Sequence, residues 1–239
     1  VLPIERLAVE LGGRGIDLLV DAAHAPGMVP VDLAALDVPY WTGNGHKWLC
    51  GPKGSALLAV RADRRAAVQP LVISHGWNDP REHAGERTPF RLRFDWTGTS
   101  DPTAFLALAD AVELVAAIEP GGWPAIMAAN HQLVLDGRER VAAALGVRAP
   151  APDEMLGSMA ALPVPGLSTD GEALALHLAL VDDGIEVPVH GWPVPAARGP
   201  GEGPRAVLLR ISAQRYNEPR DYDQLAEALR RRLGRPGAR

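Results

Sequence analysis

The chain has 239 residues, 47% hydrophobic and 22% charged, which is enough to bury a core and ordinary for a globular protein. Its net charge of −5 and pI near 5.8 offer no basic stripe for a phosphate backbone, and no apolar run nears the ~20 residues that span a bilayer. Nucleic acid and membrane are therefore not expected partners. The single cysteine, Cys50, can form no internal disulfide, and no leader-like segment opens the chain, so a cytoplasmic setting is expected.

In chain order, Ile4 to Leu11 has helical character, and Gly12 and Gly13 are expected to end it with a left-handed turn. Ile16 to Asp21 is a short apolar run closed by an acid, as in a buried parallel strand whose C-terminal end faces a ligand. A brief helix over Asp32 to Leu36 and strands over Tyr40 to Gly43 and Ser55 to Val60 follow. After a polar stretch from Ser74 to Arg91, Leu92 to Thr97 reads as extended. Asp101 and Pro102 suit the start of a helix whose apolar face, Phe105, Leu108, Val112 and Val115, carries it to about Ile118. Pro120, Gly121 and Gly122 end that helix.

A further helix is expected from Pro124 to Leu145. The remainder has the pattern of a compact αβ unit: a strand over Ser158 to Val164, a helix over Glu172 to Asp182, strands over Ile185 to Val189 and Ala206 to Ser212, and a last helix from Tyr222 to Leu233. Two domains are expected, residues 1–120 and 121–239.

Two stretches carry chemistry. In Thr42-Gly43-Asn44-Gly45-His46-Lys47-Trp48-Leu49-Cys50-Gly51-Pro52-Lys53-Gly54, a lysine framed by glycines suits a tight turn at a sheet edge, where partial desolvation would make its amine a nucleophile and proton carrier. In isolation a solvated surface turn would be the better explanation of the His-Lys pair. The second stretch, Asp21-Ala22-Ala23-His24-Ala25-Pro26-Gly27, places an acid at a strand end, able to hold a positive charge on a heteroaromatic nitrogen, with a histidine three residues on. Alone, Asp21 could equally cap a turn and His24 be structural.

Together these stretches resemble the pyridoxal-phosphate (PLP) enzymes of the class V aminotransferase family, and most closely its isopenicillin N epimerase-like branch. Gly43 to Leu49 matches that branch's Gly-Asn-x-His-Lys-Trp-Leu signature, and Trp96-Thr97-Gly98-Thr99-Ser100-Asp101 its Trp-x-Gly-Thr-x-Asp signature. Arg210-Ile211-Ser212 with Tyr216-Asn217 is similar to the family's C-terminal Arg-x-Ser…Tyr-Asn element.

The resemblance implies an α/β fold, the PLP-dependent transferase fold type I, with part of a large domain built on a mainly parallel sheet and a smaller C-terminal α+β domain. It implies pyridoxal 5′-phosphate as cofactor, an amino acid as substrate and a homodimer. Lys47 would form the Schiff base with the cofactor and move the α-proton. Asp21 would pair with the pyridinium nitrogen, and His24 would lie by the ring's phenolic oxygen or face. Asn44 and His46 would reach the phosphate, as would Thr99 from a neighbouring subunit, and Arg210 would bind the substrate carboxylate. Arg210 could otherwise be an ordinary exposed strand charge.

Asn44 stands where many members have serine. The family's larger domain also normally begins well before Val1, so a truncated chain is expected. Epimerisation, C–S lysis and transamination share the Lys47 and Asp21 chemistry, and epimerisation is the favoured reading. A non-catalytic remnant of the fold is the alternative from another class. His75, His83, His131, His177 and His190 lack paired metal-ligand spacing, Cys50 does not sit where a cysteine desulfurase carries its reactive thiol, and no phosphate-binding glycine motif is present. Arg87, Arg91 and Arg93 could line an entrance for an acidic substrate, although a solvated loop is the simpler expectation.

Overall fold

The computed structural model describes residues 1–79 and 88–234; His83 and Arg87 lie outside them. The chain divides into two compact units near Trp123.

In the first unit, α1 (Ile4–Gly12) is followed by β1 (Leu19–Asp21), α2 (Leu33–Leu36), β2 (Tyr40–Asn44) and β3 (Ala56–Val60). The left-handed residue after α1 is Gly15, at φ 70°, whereas Gly13 stays right-handed at φ −63°. Asp32 caps α2, its Oδ1 accepting the Ala34 and Ala35 N–H groups at 3.0 and 3.1 Å. The strand order is β1-β2-β3. β1 and β2 run parallel with Asp21 opposite Thr42, while β3 returns antiparallel to β2. Trp41 and Gly43 on one face of β2 are buried, and Val20, Ala22, Val38 and Trp41 form a small core over which Ile4 and Ala8 of α1 pack. The parallel pairing brings the carboxyl ends of β1 and β2 to one edge, where α/β folds take ligands.

The segment expected to be extended over Leu92–Thr97 is instead helical: α3 spans Pro89–Phe94. Thr88 accounts for this, since its side chain accepts the Arg91 N–H at 3.3 Å and Pro89 occupies the first helical turn. The helix expected up to Ile118 is broken into α4 (Thr103–Leu106) and α5 (Leu108–Ala116), with Asp101 accepting the Thr103 N–H at 2.9 Å at its start.

Most of α6 (Gly122–Leu145) belongs to the second unit, followed by β4 (Met159–Pro163), α7 (Asp170–Asp182), β5 (Val189–Trp192), β6 (Ala206–Ser212) and α8 (Pro219–Arg232). The sheet order is β4-β6-β5, antiparallel throughout, so β6 is central. A capping box starts α7: Thr169 accepts from the Glu172 N–H, and the Glu172 carboxylate accepts from the Thr169 N–H. The strand expected over Ile185–Val189 forms later, at Val189–Trp192. Ile185 N–H still closes the end of α7 on Leu180 O, and Pro188 has no N–H to give a ladder. Leu162, Leu180, Leu209, Ile211 and Leu229 are fully buried between sheet and helices, each contributing about 1.5–3 kcal/mol by burial. Among the described residues no helix is long and apolar enough to cross a membrane.

Candidate functional site

The two sequence stretches meet in the first unit. Asp21 ends β1, exposed, with Oδ1 accepting the Ala23 N–H at 3.1 Å. The chain then turns, Ala25 N–H closing on Ala22 O, and delivers His24 to the segment that follows β2. His24 Nε2 lies 3.2 Å from Lys47 Nζ, and its Nδ1 accepts the Trp48 indole N–H at 3.2 Å. Lys47 and His24 are half-buried, and Trp48 is buried.

Glycine makes this approach possible. Gly27 is at φ 80°, and a Cβ there would fall 2.5 Å from Trp48 O, so the Asp21–Gly27 turn rests on the backbone beside Lys47. The Lys47 loop is closed by Gly45 N–H to Ser55 O and Gly51 N–H to Gly45 O, at 3.0 and 2.9 Å. Cβ atoms on Gly45 or Gly51 would collide with Leu108 of α5. The fully buried Ser55 anchors the loop, its hydroxyl donating to Pro52 O at 2.8 Å.

The remaining expected residues are distributed as follows. Asn44 is the last residue of β2, opposite Ala56. His46 Nδ1 lies 2.8 Å from Ser55 O; a carbonyl only accepts, so that nitrogen carries the proton and Nε2 is left for the site. Thr99 is exposed in the turn before α4. Arg210 stands in the second unit, on β6 opposite Ala161. It lines a cavity of about 760 Å³ with His177, Glu186, Pro188, Tyr216 and Asp221, and its buried Nε has no hydrogen-bond partner among the described residues. The structure thus brings Asp21, His24, Asn44, His46 and Lys47 to one loop cluster of the first unit. Arg91 and Arg93 fall on α3, with Arg93 over the Trp77 ring.

Sequence reasoning assigned no role to Trp48 or Ser55. The adjacency of Trp48 to Lys47 was visible, but no spacing rule reports an indole hydrogen bond to a side chain 24 residues earlier. Cys50 sits beyond Trp48 at φ 58°, and partial burial pushes its thiol pKa up, the wrong direction for a thiolate nucleophile. Among the described residues no cluster of three or more His, Cys, Asp or Glu is placed to hold a metal.

The donor set fits pyridoxal phosphate. An amine can capture an aldehyde, an imidazole within hydrogen-bond reach of that amine can meet a phenolic oxygen, and a carboxylate at the adjacent strand end can hold a ring N–H⁺. The orphaned guanidinium nitrogen of Arg210 suits a carboxylate.

Comparison with known proteins agrees with this chemistry. Residues 1–225 match the family model described as aminotransferase class-V. The chain is 35% identical over 240 residues to isopenicillin N epimerase of Amycolatopsis lactamdurans, covering 96% of this chain and 56% of that protein. It is 31% identical to a probable chloroplastic L-cysteine desulfhydrase of Arabidopsis thaliana, covering 96% of this chain and 47% of that one. The fold is shared with the apo structure of a cysteine desulfurase from Thermococcus onnurineus NA1, at a TM-score of 0.75 and 22% identity, covering 97% of this chain and 56% of that one. The chain spans about half the length of the curated relatives it matches.

Proposed function

The chain belongs to the aminotransferase class V family, and from that premise we propose that it serves a PLP-dependent transformation of an amino acid, epimerase-like, in which Lys47 carries the cofactor and moves the α-proton. When bound, pyridoxal phosphate supplies an aldehyde that amines capture and a ring that draws electrons from the substrate's α-carbon. The observation that carries the reading is the 3.2 Å contact between Lys47 Nζ and His24 Nε2, on a loop packed against the end of the Asp21 strand.

In this reading Lys47 would hold the cofactor through Nζ, and its amine would be the base that takes the substrate's α-proton, one residue serving as nucleophile and as general base. Asp21 would hold a proton on the ring nitrogen by keeping a negative charge beside it, and His24 would hydrogen-bond the phenolic oxygen. Asn44 and His46 would hold the phosphate, with Thr99 of a second copy completing that contact in a homodimer. Arg210 orients the substrate through its carboxylate.

The destination of the proton decides the product. Return to the opposite face of the α-carbon inverts the centre, whereas loss of a thiolate from the β-carbon gives C–S lysis. The second outcome stands as an equal reading, because relatives named L-cysteine desulfhydrase match over the same 96% of the chain. Delivery of the proton to the cofactor would be transamination.

The test is proton exchange. Amino acids are incubated with the chain and pyridoxal phosphate in D₂O, and the α-proton signal is followed by NMR. Loss of that signal faster than with the cofactor alone, abolished in Lys47→Ala, is the expected result; inversion of the centre or release of sulfide then separates the two readings. Exchange no faster than with the cofactor alone contradicts the proposal and favours a non-catalytic remnant.

A further inference from the structure

The buried stripe of α6 carries an amide where its spacing calls for an apolar side chain. Ile126, Asn130 and Val134 follow one another at four-residue intervals and all three are buried, Asn130 at 1% exposure. Asn130 Oδ1 has no hydrogen-bond partner among the described residues, and burying such a group costs stability. A leucine, with the same side-chain branching, would suit the position at least as well. What the amide gains is a bond to another part of the second unit: its Nδ2 donates to Gln214 Oε1 at 2.7 Å.

Gln214 opens a closely tied turn. Its Oε1 also accepts the Arg215 N–H at 2.9 Å, its N–H donates to Asn217 Oδ1 at 3.0 Å, and its carbonyl accepts the Asn217 N–H at 2.7 Å. Asn217 Nδ2 donates in turn to Asp221 Oδ2 at 3.3 Å, which fastens the turn to the start of α8. These bonds enclose Tyr216. Its side chain is 82% exposed and makes no hydrogen bond among the described residues, yet it lines the same cavity as Arg210. The place of its ring is therefore set by the backbone of the turn.

We propose that Asn130 and Gln214 are positioning residues: the amide pair holds the turn so that the Tyr216 ring stands at the rim of the Arg210 cavity, against the organic part of a carboxylate bound there. The ligand class rests on the proposed role of Arg210. Capture of a cofactor at Lys47 does not enter, so the two readings can fail separately.

The experiment uses the full chain without cofactor, its three tyrosines replaced by 3-fluorotyrosine and the Tyr216 signal assigned through Tyr216→Phe. Propionate is expected to move that fluorine signal saturably, and neutral propionamide to leave it in place. In Asn130→Leu the propionate affinity is expected to fall about fivefold, the weight of one neutral hydrogen bond, and the Gln214, Arg215 and Asn217 amides to exchange faster in D₂O. The denaturant midpoint of that variant is expected to hold or rise, because Gln214 Oε1 keeps the Arg215 N–H while an apolar group replaces a buried amide. A loss of affinity without a loss of stability is what a merely structural amide would not give. Gln214→Met, at a half-buried position, is expected to weaken propionate binding in the same way. A folded Asn130→Leu chain with wild-type affinity, or a Gln214→Met chain with wild-type affinity and amide exchange, overturns the proposal. So does a Tyr216 signal that ignores propionate or follows propionamide equally. If Asn130→Leu does not fold, Gln214→Met decides alone. A Tyr216 signal that follows propionate in a chain whose Lys47 captures no cofactor leaves this inference standing and overturns the reading of Lys47.

Discussion

Gly27 packs against the backbone of Trp48: a Cβ on Gly27 would sit 2.5 Å from the Trp48 carbonyl oxygen and 2.8 Å from the Leu49 nitrogen. The obstructing atoms are main chain and cannot swing aside, and φ 80° is unfavourable for a side chain in any case. Gly27→Ala is therefore expected to push the His24 turn away from Lys47. Stability should fall by roughly 1–3 kcal/mol, the usual cost of overpacking, and covalent capture of pyridoxal phosphate at Lys47 should fall with it. Denaturant melts and capture assays on the same preparations check both.

Asp21 has a different kind of role, since it is exposed and its change should leave the fold nearly untouched. Asp21→Ala is expected to retain capture at Lys47 yet slow α-proton exchange roughly ten- to a hundredfold, the weight of one charge-assisted hydrogen bond. Exchange rates alongside thermal melts of both chains separate this from unfolding.

Gly137, buried in the middle of α6, tests packing against propensity. Alanine is favoured over glycine in a helix interior by about 1 kcal/mol. A Cβ there would, however, meet the Tyr222 ring at 2.6 Å from Cδ1 and 2.7 Å from Cγ, near the ring's attachment, which cannot swing clear. Overpacking of roughly 1–3 kcal/mol wins, so Gly137→Ala is expected to lower stability in urea melts despite its better helix propensity.

Tyr222 sets an alkaline limit on the second unit. Burial, with the nearby Asp221 charge second, pushes its phenol up to about 12 from 10.0, and its hydroxyl donates to Ser212 O at 2.7 Å. The folded chain therefore favours the neutral phenol more strongly than the unfolded chain does. This contribution is complete below pH 10 and is lost as pH rises toward 12. Wild-type stability should decline across that window more steeply than that of Tyr222→Phe, as read by denaturant midpoints at each pH.

The local order of the site was legible from residue type. An acid closing an apolar run and a lysine between glycines marked the two loops, and the parallel pairing of β1 and β2 puts them at one edge. What was not legible depended on contacts distant in sequence. Leu92–Thr97 reads as extended by composition, but the Thr88 cap and Pro89 start a helix upstream of it. The apolar spacing from Phe105 to Val115 suggests one helix and conceals the break at Ala107. Arg210 could be placed on a strand, whereas its opening onto a cavity depends on Glu186, Pro188 and Tyr216, which only the fold assembles. Trp48 was visible as a neighbour of Lys47, while its hydrogen bond to His24 arises from the packing of one turn on another.

The central claim is that Lys47 is the residue that carries the cofactor, and the most direct measurement is borohydride reduction of the chain after incubation with pyridoxal phosphate, followed by peptide mass mapping. With two lysines in the chain, the result is unambiguous. A stable adduct on Lys47, with Lys53 essentially unlabelled and the signal lost in Lys47→Ala, is the predicted outcome. Equal labelling of Lys47 and Lys53, or no adduct at either, would contradict the account.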